Sequence, residues 1–156
     1  MLLLRFQTGK ERYGLDVSRI IEVIPMVVFL PLSHVDSAVA GIFNYHGTMV
    51  PVIDLTVLLA GYPSRPLFST RVILVDYPGW PGQDDERHIL GLLAERVTEA
   101  VFCVEEDMKP AGIAMDGAPY LGDLLIHADG IIQRVAIERL LPPALRETLF
   151  PPAREA

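Results

Sequence analysis

The sequence predicts an all-β protein built from two small barrels, and the chain's internal repetition is the first reason. Gly14-Leu15, Arg19-Ile20, Glu22 and Val23-Ile24 return without a gap as Gly91-Leu92, Arg96-Val97, Glu99 and Ala100-Val101, seven related positions out of eleven. A weaker echo follows in each copy, where Val50, Ile53 and Leu55 of "VPVIDLTVLL" match Ile132, Val135 and Ile137 of "IQRVAIERLL". Both echoes come after a glycine turn, His46-Gly47 in one and Asp129-Gly130 in the other. A unit this long that occurs only twice is not a solenoid repeat. The second reason is that each copy reads as five short strands with a helical turn at its end. Closing such a sheet on itself removes its exposed edges. We therefore expect a single domain over residues 1–156, with one subdomain at about 12–60 and the other at about 65–141. The repeat itself resumes at about residue 89, and the N-terminal strand and C-terminal segment pack across both halves.

In order along the chain, "LLLRFQ" and "RYGLDV" flank the turn "TGKE" with Gly9 and form a hairpin. "RIIEVI" is a third strand ended by Pro25, and "MVVFLPL" is extended, with Pro31 confining it to an edge. Ser33 to Ser37 start a short helical turn capped by Asp36 and ending at Gly41. "GIFNY" and "TMVPVI" are two strands around the polar turn at Asn44 to Gly47. There Asn44 serves turn amides, Gly47 allows a tight reversal, and Pro51 stands where no neighbouring strand needs its missing N–H. Asp54 caps a short helix, "LTVLLA", which Gly61 closes. "RVILVDY", "HILGLLAE", "VTEAVFCV", "YLGDLLIH" and "GIIQRVAI" repeat the scheme, and "IERLL" makes a helix that Pro142-Pro143 stop. Tyr77 to His88 reads as a long loop whose tip, Asp84 to Glu86, is solvated, with Trp80 folding back over apolar surface. The end of the chain is one helical turn and a frayed tail.

The 156 residues are 51% hydrophobic and 21% charged, enough for a core and with apolar surface to spare for a partner. A net charge of −7 without a Lys/Arg cluster argues against nucleic-acid binding. The start "MLLLRF" is too short for a signal peptide, and no 18-residue apolar run escapes interruption, so no direct membrane insertion and a cytoplasmic location are expected. The lone Cys103 excludes an internal disulfide and reads as a small buried apolar residue.

No catalytic constellation is visible. His34, His46, His88 and His127 are widely spaced, without the pairing that holds a metal. There is no nucleophile elbow, P-loop or dinucleotide fingerprint. Ser33, His34 and Asp36 are chain neighbours and cannot form a triad by adjacency, and Glu105 to Asp107 read as a solvated loop. We expect no enzyme activity, no cofactor and no metal.

"ERYGLDVSRIIEVI", "VAGIFNYHGTMVPVIDL", "STRVILVD", "LGLLAERVTEAV" and "YLGDLLIHADGIIQRVAIERLLP" together resemble the CheW-like domain of bacterial chemosensory systems, from about Leu3 to Pro142. The most specific part is Gly41 to Leu55. The resemblance implies two intertwined five-stranded SH3-like β-barrels with short helices. It further implies a non-catalytic adaptor that binds the cytoplasmic tip of a chemoreceptor and the regulatory domain of a CheA-type histidine kinase, at membrane-associated receptor arrays. It places Gly41, Asn44, Tyr45, His46 and Gly47 beside the receptor groove, with Ile20 and Glu22 on a contacting strand. Read from the residues alone, Ile20 is core like its counterpart Val97, and Glu22, like Glu99, pairs with Arg19 or Arg96. Tyr45 and His46 depart from the family pattern, in which an arginine commonly stands at the position of His46. An arginine is always charged and grips carboxylates with two parallel bonds, whereas histidine is mostly neutral at pH 7. That departure implies a dedicated pathway, such as a surface-sensing one, with its own receptor. The rival from another class is a β-barrel that binds a metabolite in a pocket between its halves.

Overall fold

The computed structural model describes residues 1–78, 87–113, 117–128 and 130–151. Among these, eleven strands form two curled antiparallel-rich sheets. In chain order they are β1 (Leu2–Thr8), β2 (Glu11–Asp16), β3 (Ile20–Pro25), β4 (Val39–Tyr45), β5 (Thr48–Asp54), β6 (Arg71–Pro78), β7 (Arg87–Ala94), β8 (Ala100–Phe102), β9 (Met108–Lys109), β10 (Leu121–His127) and β11 (Gly130–Val135). Helix α1 (Leu55–Ala60) follows β5, and α2 (Pro143–Leu149) follows β11 after a 3-10 turn at Ile137–Arg139.

One sheet has the order β3-β6-β7-β5-β4 and the other β8-β1-β2-β11-β10-β9. The sequence repeat equates β2, β3 and β5 with β7, β8 and β11, and when their neighbours β1 and β4 are matched to β6 and β10 the two orders are the same apart from the additional β9. Even the register agrees. Gly91 pairs with Val52 where β7 runs parallel to β5, and Gly14 pairs with Arg134 where β2 runs parallel to β11. Closure is also repeated: Leu30 bridges Ile42 of β4, and Lys109 of β9 pairs with the equivalent Leu124 of β10.

The sheets nevertheless cut across the expected subdomain limits. Each repeat lends its opening hairpin to the other repeat's barrel, so β6 and β7 join β3–β5 while β1 and β2 join β8–β11. A boundary near residues 60–65 divides the repeats and not the barrels, because the turn after β2, and the one after β7, carries the chain from one sheet to the other.

Alternation of side chains explains three packed layers. In β6, Val72 and Leu74 fill one barrel with Val50, Val52, Phe43 and Leu93. The intervening Ile73, Val75 and Tyr77 face outward into a core shared by the barrels, with Phe6, Leu15, Leu55 and Ile137. Leu3, Leu125 and Ile132 fill the second barrel together with Cys103, whose thiol burial pushes above its ordinary pKa. Gly14 and Gly91 stand where this packing leaves no room: a Cβ at Gly91 would lie 2.9 Å from Val52 Cγ2, and one at Gly14 3.1 Å from Leu3 Cβ.

Asp54 caps α1 by accepting from Thr56 N (3.0 Å) and also holds Ser64 N and Oγ (2.9 and 2.6 Å), while Gly61 closes the helix. Next to it, fully buried Glu95 accepts from Arg65 N at 2.9 Å and from its guanidinium at 3.0 Å. Burial would raise the Glu95 carboxyl pKa, but the Arg65 bonds win and hold it below the ordinary value.

Several expected elements differ. "MVVFLPL" contributes only the Leu30 bridge, since the segment crosses from β3 to β4 instead of running beside either. Ser33 to Ser37 form bends and a turn held by Asp36 Oδ1 to Ala38 N (2.9 Å), because His34 takes a left-handed φ of 61° that no helix accepts. "VTEAVFCV" is a strand only at Ala100–Phe102. Pro142-Pro143 begin α2 instead of ending a helix, with Pro143 at a first-turn position where a missing N–H is harmless. The tip of the Tyr77 to His88 loop, the Asp129 turn position and the tail beyond residue 151 lie outside the described residues.

Two outcomes follow from this packing. Gly91→Ala lowers stability by about 1–3 kcal/mol through overpacking, read by urea unfolding, whereas Gly117→Ala, with nothing within 4 Å of its added Cβ, stays within about 0.5 kcal/mol of wild type. Because the folded pKa of Glu95 is depressed, its contribution is complete above the ordinary value of 4.5 and is lost as pH falls through the folded one. Glu95→Gln therefore flattens the acid limb of a stability–pH profile, and an unchanged limb would refute the assignment.

Candidate functional site

Strands β3 and β4 are the two edges of their sheet, and the curl brings them face to face across an open groove of about 450 Å³. Its floor is Ile24, Val27 and Phe43, and its rim is Glu22, Tyr45 and His46 with Asn44 beside them. Two contacts draw β4 toward the other wall, one from the segment that follows β3 and one from β3 itself. Leu30 N donates to Ile42 O at 2.8 Å and Ile42 N to Leu30 O at 2.9 Å. Near the other end, the Tyr45 hydroxyl donates to Glu22 Oε2. That bond pushes the Tyr45 phenol above its ordinary pKa.

The turn between β4 and β5 is a two-residue reversal, Tyr45 pairing with Thr48. His46 and Gly47 both have positive φ, 50° and 91°, as a hairpin turn matching the sheet twist requires. Histidine is among the side chains that tolerate this region best. Asn44 Oδ1 accepts from Gly47 N at 2.7 Å and fixes the turn. The Tyr45 and His46 rings meet edge-on at 4.5 Å, and Phe43 meets Tyr45 at 6.4 Å, so a continuous aromatic run leads from the barrel core to the exposed rim. Pro51 opposes Ile42, whose own amide and carbonyl are taken by Leu30, and the ladder to β7 starts one residue later at Val52. No neighbour needs the missing N–H.

Gly41 stands where the crossing segment presses on β4, against Phe29 and Leu30. Its φ of 145° and a would-be Cβ 2.4 Å from Leu30 O leave no alternative to glycine.

Of the residues singled out in the sequence, Glu22, Asn44, Tyr45 and His46 line this one groove, Gly47 shapes its turn, and Gly41 holds its far end. Ile20 does not line it; half-buried, it packs against the core between the barrels. The expected ion pair of Glu22 with Arg19 or Arg96 is not formed. Among the described residues its partner is Tyr45, which reaches across from β4 because the two edges curl together. Sequence reading missed the floor residues Ile24 and Val27, although their positions two and five residues beyond Glu22 were a usable signal once the sheet was known to close.

Residues of both halves also line a polar recess of about 400 Å³ at Arg5, Arg12, Arg96 and Glu99. An apolar recess of about 160 Å³ lies among Ala38, Ile53, Leu58, Tyr120, Leu140 and Leu145.

Residues 2–144 match the family model for the CheW-like domain. The chain is 26% identical over 139 residues to the chemotaxis protein CheW of Klebsiella aerogenes, covering 87% of this chain and 78% of that one. It is 20% identical over 147 residues to the chemotaxis protein CheW of Rhizobium meliloti, covering 93% and 90%. Its fold is similar to the crystal structure of the scaffolding protein TtCheW from Thermoanaerobacter tengcongensis, with a TM-score of 0.78 at 23% identity over 92% of this chain and 89% of that one.

Replacing Gly41 with alanine forces both a backbone clash and a strained φ, so the loss exceeds the about 1–3 kcal/mol of strain alone. Thermal unfolding measures it, and a variant as stable as wild type would contradict the geometry described.

Proposed function

This chain belongs to the CheW-like domain family, and from that premise we propose that it is a non-catalytic adaptor coupling chemoreceptors to a histidine kinase in a bacterial chemosensory array. The observation that carries the proposal is the groove between β3 and β4: an apolar floor with a polar, aromatic rim, one wall of which, β4 with its turn, belongs to the motif Gly41 to Leu55. Such a surface suits a protein segment. Aromatic side chains with polar tips are the residue type that carries most binding energy at protein interfaces.

In this reading the groove receives the cytoplasmic tip of a receptor, with Glu22, Gly41, Asn44, Tyr45, His46 and Gly47 forming or supporting the contact. Ile20 acts from behind, setting the position of β3. The regulatory domain of a CheA-type kinase is the second partner, and the protein works in the cytoplasm at membrane-associated arrays. Among the described residues no helix is long and apolar enough to cross a membrane. The metabolite-binding alternative would use a pocket between the halves: the apolar recess there, about 160 Å³, lies below the roughly 300–1,000 Å³ of ordinary ligand pockets, and the recess of about 400 Å³ at Arg5, Arg12, Arg96 and Glu99 is within that range but lined mainly by charged and polar side chains.

The purified chain should co-elute with a receptor-tip hairpin and with a kinase regulatory domain. Binding to neither would refute the adaptor role. His46 in place of an arginine further suits a dedicated receptor. His46→Arg should weaken the cognate tip and strengthen a generic one, and no change in either affinity would count against that specialisation.

A further inference from the structure

The two barrels carry equivalent glutamates, and their surroundings are opposite in charge. Glu99 shares a recess with Arg5, Arg12 and Arg96, and the Arg5 Nε donates to the Glu99 carbonyl at 3.3 Å. Pairing with Gly14 and Gly91 makes Leu74 the counterpart of Arg5, and the sequence repeat makes Ile89 the counterpart of Arg12. The counterpart of Arg96 is Arg19, which does not line the groove. Among the described residues, Glu22 therefore stands on the rim of a groove lined by one carboxylate and by no lysine or arginine. Its hydrogen-bond partner among the described residues is a neutral hydroxyl.

Around that carboxylate the lining suits a long basic side chain. The Tyr45 and His46 rings border it, and Ile24, Val27 and nearly fully exposed Val28 supply apolar surface along which an aliphatic stem can lie. A charged head at a carboxylate and an aromatic face, with its stem on apolar surface, is how lysine and arginine are commonly seated.

We propose that the groove selects a partner segment bearing a lysine or arginine, whose charge pairs with Glu22 while its stem lies against Tyr45 and the apolar floor. The inference rests on the adaptor reading and assigns the sign of charge that the receptor tip must present.

Isothermal titration of a receptor-tip hairpin into wild type, Glu22→Gln and Glu22→Lys, at low and high salt, tests it. Glutamine keeps an acceptor for the Tyr45 hydroxyl and removes only the charge, so the fold is spared. Wild-type affinity should fall with salt. Glu22→Gln should bind about tenfold more weakly, with a flatter salt dependence. Glu22→Lys should abolish binding, and a tip with its basic residue exchanged for glutamate should restore it. Equal affinity of wild type and Glu22→Gln, or tighter binding by Glu22→Lys, overturns the charge assignment while leaving the adaptor role standing. If the wild-type chain binds no tip, both fall together.

Discussion

The fold depends on two parallel seams, β2 against β11 and β5 against β7, where a strand lent by one repeat meets the last strand of the other. Everything else in each barrel is antiparallel, and two of those pairings, β1 with β8 and β3 with β6, also join strands of different repeats, so each lent hairpin is held on both its edges. The parallel seams require the backbones to approach at Gly14 and Gly91, and any larger residue there would press on Leu3 or Val52. Once both seams are formed, the outward faces of β1, β2, β6 and β7 lie opposite one another, and Phe6, Leu15, Ile73 and Tyr77 close the shared core. The central layer is thus a consequence of the exchange, and neither barrel has a complete set of strands without it.

The groove follows from the same arrangement at one remove. Because β6 and β7 occupy the middle of the sheet, β3 and β4 are left as its edges, and the curl turns what would be two sticky borders into two walls. A single bridge at Leu30 and the Tyr45–Glu22 hydrogen bond draw them together. Gly41 lets the crossing segment press close enough to make that bridge. The aromatic run from Phe43 through Tyr45 to His46 then links the barrel interior to the rim, so the rim is positioned by packing and by the Asn44 bond that fixes its turn.

Much of this was legible in the sequence because the repeat is written in residues that do structural work. Gly14 and Gly91, Val50 and Ile132, and Leu55 and Ile137 align, and their alignment carries even the strand register. The Asp54 cap, the Asn44 turn and the tolerance of Pro51 were also readable, since each depends on neighbours a few positions away. What local pattern could not reveal was which sheet a strand joins. Nothing in "RVILVDY" says that it lies beside β3 and not beside β10. The Glu22–Tyr45 bond was hidden for the same reason, spanning residues 23 apart in sequence across a closure visible only in three dimensions. Misjudged elements share a cause too. "MVVFLPL" has a strand's composition but serves as a crossing, and the prolines at 142 and 143 are equally suited to ending one helix and beginning another.

The late arrival of β11 shapes how the protein must be made. On the ribosome, β1 and β2 emerge before β11, the strand that borders β2, which follows more than a hundred residues later. The hairpin therefore waits with an uncovered edge and an unburied Phe6 and Leu15 while the strands between β2 and β11 are translated. Such a nascent chain is exposed to wrong pairings, including strand exchange with a neighbouring nascent copy, until its last strand is released. Slow translation would lengthen that interval for this topology more than for one whose sheets close in chain order.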